Sequence, residues 1–224
     1  MRAKSKSSLI KSLATIRDEF RAKISGEYEI RAQPCAKCMT PGICCTDRHF
    51  VNVEISELEA EAIYRSIQRL DPKLQARIFG RVDHEAKILF SRSTGKYSCP
   101  LFEAGIGCTV HETAKPLPCI FYSCYHRSED LPPDGLLESA EKSVALLNRL
   151  VYLRAPKYRP IPIALLDRFQ AAAEQRRRDD EQKECDVIPN GQILPNKDFH
   201  DKTNDKKQNS QKQRCFSILS SNKC

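Results

Sequence analysis

The sequence predicts a mostly α protein, a small helical bundle with two irregular cysteine-rich loops that form a metal or cluster site. Three observations carry that expectation. Apolar residues recur at three- and four-residue intervals through five separate segments, the spacing that lines one face of a helix. Between them lie two stretches rich in Pro and Gly, each carrying four cysteines: Cys35, Cys38, Cys44 and Cys45, then Cys99, Cys108, Cys119 and Cys124. From Glu184 onward the composition turns to Asn, Gln, Lys, Asp and Ser, too polar to bury much apolar surface.

The first helix is marked by Leu9, Leu13, Ile16, Phe20 and Ile24, with Ser7 or Ser8 as its cap and Gly26 as its stop. The first cysteine segment follows, and Pro34, Pro41 and Gly42 make it a loop. A second helix opens with Ser56 and Glu59 in capping-box spacing and buries Ile63, Ile67 and Leu70. Asp71 and Pro72 restart the chain as a third helix, with Asp as cap and Pro at the first helical position. Its stripe runs Leu74, Ile78, Val82 and Leu89 toward Phe90, and Gly80 is a point of interruption. The second cysteine segment spans about Tyr97 to Tyr125, with one short strand pair expected around "CTVHE". Two helices follow, Leu137 to Leu153 and Pro162 to about Gln182, the last facing Leu165, Leu166, Phe169 and Ala173 inward. Residues 1–183 thus read as a single helical cysteine-cluster domain and residues 184–224 as a disordered polar tail. If the helices pack as a bundle, both loops can meet at one end of it.

The 224-residue chain can bury a core without disulfides in its place. No run of about eighteen apolar residues predicts a membrane span. The basic N-terminus lacks the apolar region and cleavage site of a secretory signal, which points to the cytoplasm. The terminal "SNKC" is not a prenylation box. In that setting, clustered cysteines bind metal or do redox work more often than they form a disulfide framework. The eleven cysteines include Cys185, Cys215 and Cys224 in the polar tail, which read as separate from the eight clustered ones.

The net charge of +8 permits weak attraction to nucleic acid or anionic surfaces. Much of it sits in Arg2, Lys4, Lys6, Lys11, Arg17, Arg21 and Lys23. Without exposed aromatics interleaved, this reads as a solvated basic helix face. His111 and His126 read as hydrogen-bonding or solvated residues, and the "GIG" around Ile106 as a turn. Spacing alone supports no Ser-His-Asp arrangement and no pair of catalytic carboxylates.

Tetrahedral zinc and a four-iron cluster each need about four ligands, so eight thiols suit two such sites, or one with spare thiols. Cys35 and Cys38 make a chelating half-site. Cys44 and Cys45 are adjacent, and consecutive side chains on extended backbone point to opposite sides. That pair fits a larger cluster, two neighbouring centres, or one ligand beside one buried thiol. The spacing matches neither the ferredoxin run nor a zinc ribbon.

"CAKCMTPGICC", a spacer of about fifty residues and "CPLFEAGIGCTVHETAKPLPC" together resemble the CxxCxxCC, or YkgJ-like, family of zinc- or iron-chelating proteins. The matching positions are Cys35, Cys38, Cys44, Cys45, Cys99, Pro100, Gly107, Cys108, Pro116 and Cys119, within residues 30 to 126. Lys115 stands where the family usually has Arg, which keeps the charge but not the planar fork. Five residues separate Cys38 from Cys44, more than the family name implies. The resemblance implies a cytoplasmic protein that chelates zinc or iron, often described as an iron-sulfur oxidoreductase. The family also includes a longer flagellin lysine N-methylase, and neither its extra length nor a nucleotide-binding motif is present here.

The expected function is therefore metal binding through the eight loop cysteines, by an iron-sulfur cluster ahead of zinc, with a redox role and a protein or redox partner. The alternatives are a cluster-dependent enzyme of the lysine N-methylase kind, or a structural zinc module that binds protein or nucleic acid through the basic N-terminal helix.

Overall fold

A computed structural model describes residues 5–32, 45, 53–91, 97–122, 125 and 127–186 of the chain. Cys35, Cys38, Cys44, Cys124, His126, Cys215, Cys224 and the tail beyond Asp186 lie outside the described residues. The chain divides into two compact units, Met1–Phe169 and Gln170–Cys224.

The first unit is mostly α-helical. In chain order its elements are α1 (Lys6–Glu27), β1 (Glu54–Ser56), α2 (Glu57–Ile67), α3 (Pro72–Ser91), β2 (Phe102–Glu103), β3 (Gly107–Cys108), α4 (His111–Ala114), α5 (Leu117–Phe121), α6 (Asp134–Tyr152) and β4 (Tyr158–Pro160). The last helix, α7 (Ile161–Asp186), begins here and runs into the second unit. None of the described helices is long and apolar enough to cross a membrane.

Local chemistry accounts for the helix starts. Ser5, rather than Ser7 or Ser8, caps α1, its Oγ accepting from the Ser8 amide at 3.2 Å. The helix thus gains residues ahead of the apolar stripe, and Lys6 is brought to the Glu61 carboxylate at 3.0 Å. The capping box of α2 is complete: Ser56 Oγ accepts from the Glu59 amide, and the Glu59 carboxylate accepts from the Ser56 amide at 2.9 Å. Asp71 Oδ1 accepts from the Lys73 amide at 2.9 Å at the head of α3. Gly80 does not interrupt α3, which runs unbroken to Ser91. A lone glycine costs a helix only about 1 kcal/mol, less than the burial of Ile78 and Val82 on either side returns. Phe90, at the end of that stripe, is exposed.

Two hydrophobic clusters make the interior, and α2 contributes to both. In one, Ile63 and Ile67 of α2 pack with Ile78 and Val82 of α3, with Tyr97, Leu101 and Val110, and with Ile161 and Leu165 of α7. In the other, Leu58 of α2 packs with Leu9, Leu13, Phe20 and Ile24 of α1, with Leu117, Ile120 and Phe121 of α5, and with Val144 and Leu147 of α6. The buried Asn148 ties α6 to α2: its Oδ1 accepts from the Leu58 amide at 3.1 Å and its Nδ2 donates to the Val144 carbonyl at 2.9 Å. The short strand β1 pairs antiparallel with β4, Ile55 opposite Arg159, a long-range pairing that no local pattern announces.

The second unit is described only from Gln170 to Asp186, the C-terminal part of α7. Ala172 is buried there, whereas Ala173 is exposed; of the expected stripe, Leu165, Leu166 and Phe169 do pack in the interior of the first unit. Beyond it Arg176, Arg177, Arg178, Asp179 and Asp180 are all exposed, with Gln175 donating to Asp179 at 2.7 Å one turn on. The expected domain limit at residue 183 falls within this helix, whose backbone also includes Cys185.

Candidate functional site

The second cysteine segment is held in place residue by residue. Tyr97 is buried, and its hydroxyl donates to the Val53 carbonyl at 2.6 Å while accepting from the Ile161 amide at 3.3 Å. The Ser98 amide donates to the Glu85 carboxylate at 3.1 Å. The chain then turns at Cys99-Pro100-Leu101-Phe102, the Phe102 amide donating back to the Cys99 carbonyl at 3.2 Å. Arg81 of α3 clasps this turn, its Nε donating to the Pro100 carbonyl at 2.9 Å and its Nη1 to the Glu103 carboxylate at 2.8 Å.

Next comes the β2–β3 hairpin, with Phe102 opposite Cys108 and Glu103 opposite Gly107. The expected strand pair is present and takes in "CTVHE" only at its first residue: β3 ends at Cys108, and His111 already begins α4. Gly105 and Gly107 have φ of 79° and 90°, a left-handed conformation costly for residues with a Cβ, and so the "GIG" is a turn. Helix α4 is fixed by α1, where the buried Arg17 donates to the Thr113 carbonyl and Arg21 pairs with Glu112 at 2.9 Å. Lys6, Arg17 and Arg21 of the basic helix are therefore engaged within the protein. His111 is exposed and its Nδ1 sits 2.6 Å from the Glu112 carboxylate, in the hydrogen-bonding role expected of it.

Pro116 caps the short helix α5, and the Ile120 amide donates to its carbonyl at 3.1 Å. Leu117, Ile120 and Phe121 face the cluster shared with α1 and α6, while Cys119 packs against the other cluster, as do Cys99 and Cys108. One helical turn thereby divides its side chains between the two clusters.

The four described cysteines of the two segments are neighbours. The Cys99 amide donates to the Cys45 carbonyl at 2.7 Å. Burial pushes the Cys119 thiol well above its usual range, and the Cys108 thiol adds to this; Lys115 opposes it, and Cys45 and Glu59 reinforce it. Burial likewise raises the Tyr97 hydroxyl, with Cys99 and then Cys119 acting in the same direction. All four cysteines are half-buried. A second stitch joins the flanks of the two segments, an antiparallel bridge between Ala32 and Tyr125.

Among the described residues, no group of three or more His, Cys, Asp or Glu side chains is arranged to hold a metal ion. The four described cysteines are half-buried, and burial disfavours the thiolate form of Cys119 while Lys115 opposes that effect. Arg81, Tyr97 and Glu59 were not singled out for their contacts from the sequence. Only the capping-box role of Glu59 has a local signal; the other two act through contacts to residues far along the chain. No protein-family model, no curated protein and no solved structure matches this chain.

Proposed function

We propose that this chain is a cytoplasmic metal-binding protein that holds an iron-sulfur cluster or zinc through its two cysteine segments, with a redox role. The ligands would be drawn from Cys35, Cys38, Cys44, Cys45, Cys99, Cys108, Cys119 and Cys124. One observation carries the reading: the backbone hydrogen bond from Cys99 to Cys45, which joins two cysteine segments far apart in sequence. The Ala32–Tyr125 bridge supports it at the other flank, since Cys35 follows Ala32 by three residues and Cys124 immediately precedes Tyr125. Thiols from separate segments on neighbouring backbone are what a shared centre needs, because one loop rarely supplies a full sulfur shell at unstrained geometry. A bound cluster would supply one-electron transfer, and zinc would supply cross-linking. The chain's own part is to orient the sulfurs and exclude water, which the apolar packing under Cys99, Cys108 and Cys119 favours. Iron-sulfur chemistry leads because a vicinal pair among eight thiols suits a cluster better than one tetrahedral ion. A thiol-held site also accords with a reducing compartment.

The test is anaerobic purification followed by iron, zinc and acid-labile sulfide analysis. A brown protein with iron and sulfide in comparable amounts supports the cluster. A colourless protein with stoichiometric zinc supports the zinc form. A chain that carries no metal, and takes none up after anaerobic reconstitution, rejects the reading.

A further inference from the structure

Helix α6 is apolar on two faces. Its inner face, with Val144 and Leu147, packs in the cluster shared with α1 and α5. On the outer side Leu146, Leu150 and Leu153 recur at four- and three-residue spacing, so they share one face about 10 Å long. They are 58, 39 and 90 % exposed. Single exposed leucines are ordinary on a protein surface, but three aligned on one face mark a place of contact. Leu153 is also the one described non-glycine residue with a positive φ, 54°, where it closes the helix by donating its amide to the Arg149 carbonyl at 2.9 Å. Glycine takes that conformation without the penalty of a Cβ, so leucine there brings the fold neither an easier turn nor a buried side chain.

Charge is organised around the same face. From Lys142 to Pro160 the chain carries Lys142, Arg149, Arg154, Lys157 and Arg159 and no Asp or Glu. Lys142 precedes Leu146 by one turn and Arg149 follows it by one. Lys142, Arg154 and Arg159 pair with Glu138, Glu57 and Asp167, at 3.7, 2.5 and 3.6 Å, whereas Arg149 and Lys157 make no ion pair among the described residues. Tyr158, partly exposed between two of these cations in sequence, has an amphipathic ring of the kind that suits a boundary between water and lipid.

We propose that the outer face of α6 docks on an anionic lipid surface, with Leu146, Leu150 and Leu153 entering the boundary between headgroups and acyl chains and the surrounding cations meeting the lipid's negative charge. The apolar stripe beside a run of cations is the pattern of an element that lies in a membrane interface. The face is convex, since Leu153 stands almost wholly in solvent, and lipid needs no matching shape as a partner helix would. A second copy would set Lys142, Arg149 and Arg154 near identical cations, with no carboxylate in this stretch to answer them. Three leucines and a few cations make a reversible contact and not a permanent anchor.

The experiment is sedimentation of the full-length protein with vesicles of phosphatidylcholine alone and of equal parts phosphatidylcholine and phosphatidylserine. Parent is compared with the triple variant Leu146→Gln/Leu150→Gln/Leu153→Gln, with Arg149→Gln/Lys157→Gln, and with Lys11→Gln/Lys23→Gln. The last removes the same charge from exposed positions on α1. The parent is expected on the phosphatidylserine vesicles and not on phosphatidylcholine alone. Both the leucine variant and Arg149→Gln/Lys157→Gln should weaken that binding about tenfold or more, since each cation near an anionic surface contributes about fivefold, and the α1 variant should stay within about threefold. Because the altered side chains are exposed, the circular dichroism melt of each variant should match the parent, and Leu153→Gly should weaken binding while leaving the melt unchanged or raised. A parent that binds neither vesicle, or both equally, overturns the proposal. Parent-like binding by the leucine variant overturns it, because attraction would then be charge alone. Equal losses in the α1 and α6 charge variants overturn it as well. A dimer seen by light scattering that dissociates in the leucine variant assigns the face to a second copy and overturns it too.

Discussion

Substituting Glu61 by Gln tests the interior of the first unit with a pH signature of its own. Glu61 is buried on α2, and its carboxylate meets Lys6 of α1 at 3.0 Å, Arg65 one turn on at 2.7 Å and Arg168 of α7 at 2.5 Å. Arg168 also stacks over the Tyr64 ring at 4.1 Å. Burial alone would raise the Glu61 carboxyl, but hydrogen bonds from Arg65, Arg168 and Lys6 outweigh it and lower the pKa from 4.5 to about 2. A depressed carboxylate stabilises the folded state at pH above its unfolded value, and this stability is lost as pH falls through the folded value, because the unfolded chain takes up the proton first. The shift corresponds to about 3 kcal/mol at neutral pH, reduced to about 2–3 kcal/mol because Lys6 and Arg65 are partly solvent-screened. Urea unfolding of parent and Glu61→Gln should therefore differ by that amount at pH 7. About half of the difference should be gone near pH 3, and nearly all of it by pH 2. Comparing the two proteins at each pH cancels acid effects they share, including loss of any thiolate-bound metal. Equal stability at pH 7, or a gap that does not shrink as pH falls from 5 to 3, would refute the account of Glu61 as a charged, three-cation hub.

Three further outcomes are expected. Ser56→Ala removes one half of the α2 capping box and leaves the buried Glu59 short of a donor, costing about 1–2 kcal/mol in urea unfolding, with exposed Ser143→Ala on α6 as the neutral control. Asn148→Ala leaves the Leu58 amide buried without its acceptor and should cost about 2 kcal/mol, visible as a lower unfolding midpoint. Cys38→Ser and Cys119→Ser should each lose metal by elemental analysis while helical circular dichroism largely persists, because both hydrophobic clusters are built from apolar side chains; Cys185→Ser should change neither. Collapse of helicity in either of the first two would make the metal the organiser of the whole fold.

The local patterns of the chain were enough to locate the main helices. The stripe from Leu9 to Ile24, the Ser56/Glu59 box and the Asp71-Pro72 restart act within one or two turns, where spacing along the chain is also spacing in the molecule. The same locality explains the small errors. Ser5 rather than Ser7 caps α1, and Ala172 rather than Ala173 is buried, because a stripe defines a face more sharply than an end or a phase. The density of thiols in two Pro- and Gly-rich segments carries the proposal of a soft metal from composition, not from an arrangement of ligands. Only the tertiary structure decided which groups meet. Glu61 and Arg168 are 107 residues apart, β1 finds β4 across the five helices α2 to α6, and Arg81 reaches Pro100 from another element. The neighbouring of Cys45 and Cys99 is of the same kind. Such pairings depend on how whole faces pack. Their strength comes from removing both partners from water together, a condition that no stretch of sequence contains.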